Sequence, residues 1–206
     1  MFRSRYLLIF LLAGLFTACG SSKFTTIYKP DIERPATFKK VLVAAISGEQ
    51  LPDSIRQRLE LNTVDALAQK GYTGISYFNE FGKSGIELFG EEAAYLFLCE
   101  QGVDAVLTVA MVDEKKSLRH PATPKYTSRY YYDRIWSYKG ISQQQTSIAN
   151  PVWEVVLFDL ASLEPRGVIV ADTKEIPLPD LSVALVNKMT KEKMLRTQKK
   201  STLKAF

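Results

Sequence analysis

The chain has 206 residues, 46% of them apolar and 24% charged, with 27 lysines and arginines against 22 aspartates and glutamates. This composition is typical of a globular protein with one core, and it excludes disordered and fibrous chains. With one histidine and two cysteines, sites built from several nitrogen or sulfur ligands are excluded, so we expect neither a metal nor a cofactor.

The first residues have the layout of an export signal. Arg3 and Arg5 precede an uncharged apolar run over residues 6–16, which is too short for a membrane-spanning helix of about 20 residues. The run ends in Thr17-Ala18-Cys19, which looks like a bacterial lipobox. We therefore predict a signal peptide over residues 1–18. Plain secretion and a buried N-terminal helix are the alternatives.

A lipobox implies that the sulfur of Cys19 is acylated and becomes the first residue of the mature chain. Two or more acyl chains give stable anchoring where one is marginal, so we predict a protein that lies on the lipid bilayer without spanning it. Gly20 follows the cysteine, where an aspartate would imply retention at the inner membrane. The resemblance therefore implies the outer membrane of the bacterial cell envelope.

The next stretch, residues 19–40, mixes serine, threonine, proline and charge without periodicity, which predicts an extended tether. Residues 41–46 are a continuous apolar run, typical of a central strand that is covered on both faces. A helix is predicted over residues 54–69. Its inward stripe is expected to consist of Ile55, Leu59, Ala66 and Leu67.

A second strand is predicted over residues 72–77 and a second helix over residues 91–101, with Ala94 and Leu98 inward. Residues 103–112 are apolar on both faces and predict a third strand. The alternation of strands and helices favours a parallel or mixed sheet with right-handed crossovers.

Two β-rich runs follow, residues 153–160 and 167–173, separated by a turn that suits a hairpin. A basic helix from residue 181 to about residue 200 closes the chain. We therefore predict an α/β fold, with α+β as the alternative, in a single domain over residues 41–206. Its mixed sheet has about five strands and three helices in the order β-α-β-α-β, aromatic loop, β-β-α.

Residues 113–151 form an excursion that has no clear place in the core, which is typical of a functional loop or of a hairpin that the pattern hides. Tyrosine and tryptophan give large contact areas and arginine gives forked donors, so one interpretation is a partner-binding surface. The alternative is a twisted hairpin whose rings pack on the sheet. The candidate partner-binding residues are Tyr130, Tyr131, Tyr132, Arg134, Trp136 and Tyr138.

Other chemically suggestive residues have simpler interpretations. His120 lies beside Arg119 and Pro121, as in a surface loop, and Cys99 is expected to be a small buried residue of a helix. We identify no catalytic residue. The C-terminus has seven lysines and arginines between residues 188 and 204 against Glu192 alone. These could contact anionic head groups or acidic polymers, or form a solvated helix end.

The lipobox, the strand at residues 41–46 and the run Val152-Trp153-Glu154-Val155-Val156-Leu157-Phe158-Asp159 turning into Val168-Ile169-Val170-Ala171 resemble small lipoproteins of the bacterial envelope. The architecture is similar to the amino-terminal domain of TolB and to the curli-secretion lipoprotein, over about residues 38–190. The resemblance implies no catalytic motif.

We therefore predict a non-catalytic binding or assembly module with an envelope protein as its partner. Aromatic residues interleaved with arginines also occur in nucleic-acid binders, but an exported lipoprotein would not meet that ligand. The alternative is an envelope hydrolase or a carbohydrate-binding lipoprotein in which the fold brings carboxylates together, for example those of Asp159, Asp172 and Glu154.

Overall fold

The computed structural model of the protein describes residues 24–30, 37–46, 51–82, 90–113, 151–172 and 178–197, which form a six-stranded mixed sheet with helices on both faces. The α/β class is confirmed. The strands are β1 (Phe24–Tyr28), β2 (Lys40–Ile46), β3 (Thr73–Ser76), β4 (Ala105–Asp113), β5 (Pro151–Asp159) and β6 (Glu164–Asp172), and the helices are α1 (Asp53–Gln69), α2 (Tyr77–Phe81), α3 (Glu91–Glu100) and α4 (Leu178–Lys191).

The sheet has the strand order β1-β6-β5-β4-β2-β3. Strand β2 pairs in parallel with β3 on one side and with β4 on the other. We call the end of the sheet at which β2, β3 and β4 begin the amino edge, and the end at which they finish the carboxyl edge. The apolar run of β2 predicted a central strand, and its residues 41–46 are all buried.

Helices cover the two faces of this parallel half. Leu59 and Leu67 of α1 pack with Val41 and Val43 on one face, whereas Leu98 of α3 belongs to the core cluster on the other face. The connection from β2 to β3 therefore crosses one face of the sheet, and the connection from β3 to β4 crosses the other face. Because β3 and β4 lie on opposite sides of β2, right-handed crossovers require this arrangement. The inward position of Ala94 and Leu98 is confirmed.

The predicted hairpin is also present. Strands β5 and β6 pair in antiparallel register from Val152↔Asp172 to Asp159↔Glu164, and the turn between them includes Leu163 with a φ of 57°. Helix α4 follows β6 from the carboxyl edge and packs beside α1, where the Thr63 hydroxyl donates to the Ser182 hydroxyl at 3.0 Å.

One prediction is wrong in the first half of the chain. The stretch predicted as a tether contains β1, which pairs with β6 from Phe24↔Ala171 to Tyr28↔Val168. The physical reason is that the outer edge of β6 presents backbone donors and acceptors that another strand can satisfy. Phe24 also packs against one core cluster and Ile27 against the other. The sheet therefore has six strands rather than about five.

The helices differ from the prediction in two further ways. The five-residue helix α2 was not predicted, and it begins where the Ser76 hydroxyl accepts a hydrogen bond from the Asn79 amide. The last helix ends at Lys191 rather than near residue 200. Lys193 then adopts a φ of 61°, and this left-handed conformation ends the helix.

Candidate functional site

The carboxyl edge holds a buried charged pair that the sequence analysis did not predict. Glu60 and Arg56 lie one helical turn apart on α1, and their exposed fractions are 0% and 3%. The expected stripe contained Ile55, which is only half-buried. Helical charges spaced four residues apart usually form solvent-exposed pairs, so the spacing alone gives no signal of burial.

Glu60 acts as an acceptor for three donors from two neighbouring elements. Its Oε1 accepts from the Ala45 amide at 2.8 Å, and its Oε2 accepts from the Ser76 hydroxyl at 2.6 Å and from the Phe78 amide at 2.8 Å. Burial raises the pKa of this carboxyl, and the three hydrogen bonds and the charge of Arg56 oppose that rise. The carboxylate fixes the start of α2 to the ends of β2 and β3.

Arg56 completes the cluster. Its Nε donates to the Ala45 carbonyl at 3.4 Å and its guanidinium forms an ion pair with Asp53 at 3.3 Å. The guanidinium carbon lies 5.8 Å from the centroid of the Phe78 ring, a favourable arrangement for a cation over an aromatic face. These groups therefore hold α1, β2 and α2 together, which is a structural role.

The three carboxylates that we considered for catalysis do not come together. Asp159 and Asp172 lie at opposite ends of the β5-β6 hairpin, because Asp172 pairs with Val152. Seven residues at ~3.4 Å each separate Val152 from Asp159 along β5, or about 24 Å. Glu154 and Asp172 do share one face of the sheet as diagonal neighbours, since Glu154 pairs with Val170.

Asp159 has a structural role at the amino edge. Its Oδ2 accepts from two nitrogens of Arg166 at 2.6 and 3.1 Å, and its Oδ1 accepts from the Ala161 amide at 3.0 Å. These bonds hold the turn between β5 and β6. Both arginine nitrogens donate to the same oxygen, and charge-assisted hydrogen bonds of this kind are stronger than bonds between neutral groups.

A shallow groove of about 430 Å³ runs along the amino edge beside α3. It is lined by Tyr95, Cys99, Asp104 and Asp159 among others. The Asp104 carboxylate accepts from the backbone amides of Lys39 and Lys40 at 2.6 and 3.0 Å. Both acids of the groove are therefore bonded to the protein itself.

The prediction that Cys99 is buried is wrong, because the structure exposes this residue. The reason is helical geometry: the inward stripe of α3 consists of Ala94 and Leu98, and the next residue lies about 100° further round the helix.

Other predicted site residues lie outside the described residues. They are Cys19, Tyr130, Tyr131, Tyr132, Arg134, Trp136 and Tyr138. The described residues contain no group of three or more His, Cys, Asp or Glu side chains that could hold a metal ion. None of the helices in the described ranges has the length and hydrophobicity needed to cross a membrane.

Comparison of the sequence with protein-family models and with curated proteins gives no match. Among solved structures, the chain is similar to a point-substituted variant of the PelC dodecamer from Paraburkholderia phytofirmans, at 14% identity and a TM-score of 0.42, covering 85% of this chain and 99% of that one. A second PelC dodecamer structure from the same organism gives a TM-score of 0.41 at the same identity and coverage. The resemblance to TolB and to the curli-secretion lipoprotein stays a prediction.

Proposed function

We propose that the protein is a membrane-anchored lipoprotein of the bacterial envelope, held at the outer membrane by acyl chains on Cys19, and that its α/β domain is a non-catalytic binding or assembly module. The observation that carries the anchor is the sequence Thr17-Ala18-Cys19, and the distance from this anchor to the domain is limited by the position of β1. This strand begins at Phe24, so the four residues from Gly20 to Lys23 link the acylated cysteine to the sheet. Fully extended, such a link spans at most about 18 Å.

A non-catalytic role is supported by the use that the fold makes of its charged groups. The carboxylates of Glu60, Asp104 and Asp159 each accept two or more hydrogen bonds from the protein. Groups engaged in this way hold the backbone at the two edges of the sheet. A general acid or base must lie within hydrogen-bond reach of the proton that it transfers, whereas these carboxylate oxygens accept hydrogen bonds from the protein itself.

A partner-binding role for Tyr130, Tyr131, Tyr132, Arg134, Trp136 and Tyr138 is supported by the strands on either side of their segment. Asp113 at the end of β4 pairs with Pro151 at the start of β5. The chain therefore leaves and re-enters the sheet at the carboxyl edge. Phe24 pairs with Ala171 near the same edge, so both ends of the segment meet the sheet at the end of the domain where β1 begins.

The alternative function is an envelope hydrolase or a carbohydrate-binding lipoprotein. Its remaining support is the diagonal placement of Glu154 and Asp172 on one face of the sheet, because Asp159 lies far from both along the strands. A variant with Asp172→Asn would lose hydrolysis or sugar binding under this alternative. If the domain is a non-catalytic binding module, Asp172→Asn is expected to change neither hydrolysis nor sugar binding.

The central test uses the two cysteines of the chain as a matched pair. With palmitate labelling of growing cells, Cys19→Ser should abolish both the label and the sedimentation with membranes, because only the acyl chains hold the domain to lipid. Cys99→Ser is the control and should leave both unchanged. Unlabelled protein that still sediments with the membrane fraction would refute the anchor.

A partner is then sought by crosslinking and co-purification from detergent-solubilised membranes. The Tyr131→Ala variant should recover less of any crosslinked protein than the wild type does. Equal recovery from both would contradict a binding role for this ring.

A further inference from the structure

Five basic side chains gather at the amino edge around the end of α4. Lys29 follows β1, Lys188 and Lys191 lie in the last turn of α4, and Lys193 and Arg196 lie in the turn beyond it. We call this group the basic end. Four of its side chains are exposed, and Lys188 is half-buried.

One carboxylate lies within the basic end and neutralises only part of its charge. Glu192 contacts Lys188 at 2.8 Å and Lys29 at 3.6 Å, and these lysines lower its pKa. A single negative charge is therefore shared between two lysines. Within residues 188–197 no other acidic residue occurs, so the basic end has five cations and one carboxylate. The next carboxylate toward β1 is Glu164: burial raises the pKa of Tyr28, and the charge of Glu164 adds to that rise.

The fold fixes the backbone that carries these charges. Met194 and Leu195 are buried in the core, with exposed fractions of 0% and 1%. The Tyr72 hydroxyl bonds to the backbone carbonyl and amide of Arg196, both at the end of the described chain. The cations after α4 therefore lie on a turn that the fold holds in place. Binding a ligand there would cost less conformational entropy than binding it to a free tail, because the backbone is already ordered.

The basic end lies away from the edge at which β1 begins. Helix α4 starts after β6 at the carboxyl edge and spans 14 residues, which is a length of about 21 Å. Phe24, the first residue of β1, pairs with Ala171 near the carboxyl edge. A chain anchored through Cys19 would therefore be attached at the end of the domain opposite the basic end.

We propose that the basic end binds an acidic polysaccharide through ion pairs between these cations and the carboxylate groups of the polymer. Lysines are depleted at the centres of protein–protein interfaces, where aromatic and apolar groups are enriched, and the apolar residues Met189, Met194 and Leu195 of this region are buried. A flexible polymer with repeated negative charges can be attracted by complementary positive charge alone, without apolar contacts. The choice of a glycan over the lipid surface rests on the proposed anchor at Cys19.

The test measures binding of fluorescein-labelled polygalacturonate to the full-length lipidated protein in a neutral detergent, by fluorescence anisotropy at low and at physiological salt. The Lys191→Glu variant should bind about 25-fold more weakly, because the substitution changes the charge by two units and each unit at such a surface is worth about fivefold in affinity. Raising the salt should weaken wild-type binding. The matched control is Arg58→Glu, an exposed position of α1 nearer the carboxyl edge, which should change affinity less than about twofold.

Four outcomes overturn the proposal. In the polymer assay they are no binding by the wild type, binding that salt does not weaken, and equal weakening by Lys191→Glu and Arg58→Glu. The fourth is Lys191-dependent binding to vesicles of phosphatidylglycerol and phosphatidylcholine without binding to the polymer. Thermal unfolding of both variants should match the wild type, which excludes misfolding as the cause. Membrane sedimentation of Lys191→Glu should also match. A failed anchor appears only in the Cys19→Ser experiment, so the two proposals fail separately.

Discussion

Removal of the Glu60 carboxylate should destabilise the domain strongly. In Glu60→Ala the buried Ala45 amide and Ser76 hydroxyl and the partly buried Phe78 amide all lose their acceptor. Each buried donor left without a partner costs about 1–3 kcal/mol, and breaking a buried charged network costs about 3–5 kcal/mol in total because such losses are not additive. We expect a loss of about 3–5 kcal/mol in the free energy of unfolding.

The pKa of Glu60 leads to a second expectation, which concerns the pH dependence of the unfolding free energy. Burial raises it in the folded chain, so the folded state binds a proton at a pH where the unfolded chain has already released it. The stability that this group contributes is therefore complete below the ordinary pKa of a glutamate and is lost as the pH rises through the raised pKa. In Glu60→Gln this dependence disappears, so the unfolding free energy of the wild type minus that of the variant should fall with rising pH.

The assay is urea unfolding followed by circular dichroism at several pH values from the acid range to neutrality. The slope of the unfolding free energy against urea concentration should be the same for all variants, which checks that they unfold alike. Asp65→Asn is the matched control, since it removes an exposed carboxylate of the same helix; it should change stability by less than about 0.5 kcal/mol. If the difference between wild type and Glu60→Gln rises with pH, then Arg56 keeps the carboxylate ionised and the reasoning from burial is refuted.

Three further predictions concern other parts of the chain. Cys99 should react with a thiol reagent in the native domain, because it is exposed. Gly167→Ala should destabilise the domain by about 1–3 kcal/mol in thermal unfolding, because the added methyl group would overlap the side chain of Met194 in a filled core. Tyr131→Ala and Trp136→Ala should weaken capture of the crosslinked partner and change the melting temperature little, because a ring that anchors a partner contributes to binding rather than to folding.

Each of these has a contrary result. A Cys99 thiol that reacts only after denaturation would contradict its exposure. An unchanged melting temperature for Gly167→Ala would mean that Met194 moves aside without cost. A fall of several degrees for both Tyr131→Ala and Trp136→Ala, as core truncations give, would mean that these rings pack in the core, and their role as a binding surface would be abandoned.

Local patterns in the sequence determined most of the secondary structure. The continuous apolar run over residues 41–46 predicts the buried central strand β2, and the alternation of strands and helices predicts the α/β class and the crossovers. The hairpin of β5 and β6 follows from two β-rich runs around a turn. These features depend on residues that are close in sequence, so the spacing of apolar residues along the chain is enough to predict them.

Local patterns also suggested interpretations that the packing reversed. Residues 24–28 have no strong strand signal, yet they form β1 because the outer edge of β6 lies beside them. Cys99 is exposed although its apolar neighbours suggest burial, since only one stripe of α3 meets the sheet. The decisive contacts lie far away in sequence: Phe24 pairs with Ala171.

The chemistry of the edges was decided by tertiary structure alone. Arg56 and Glu60 are spaced like a solvent-exposed helical ion pair, but Glu60 is buried and accepts hydrogen bonds from donors at the ends of β2 and β3. Asp159 and Asp172 are carboxylates of the same hairpin, and the antiparallel register places them at its opposite ends. Whether charges converge or separate depends on how strands align in space, and a one-dimensional pattern of residue types does not contain that alignment.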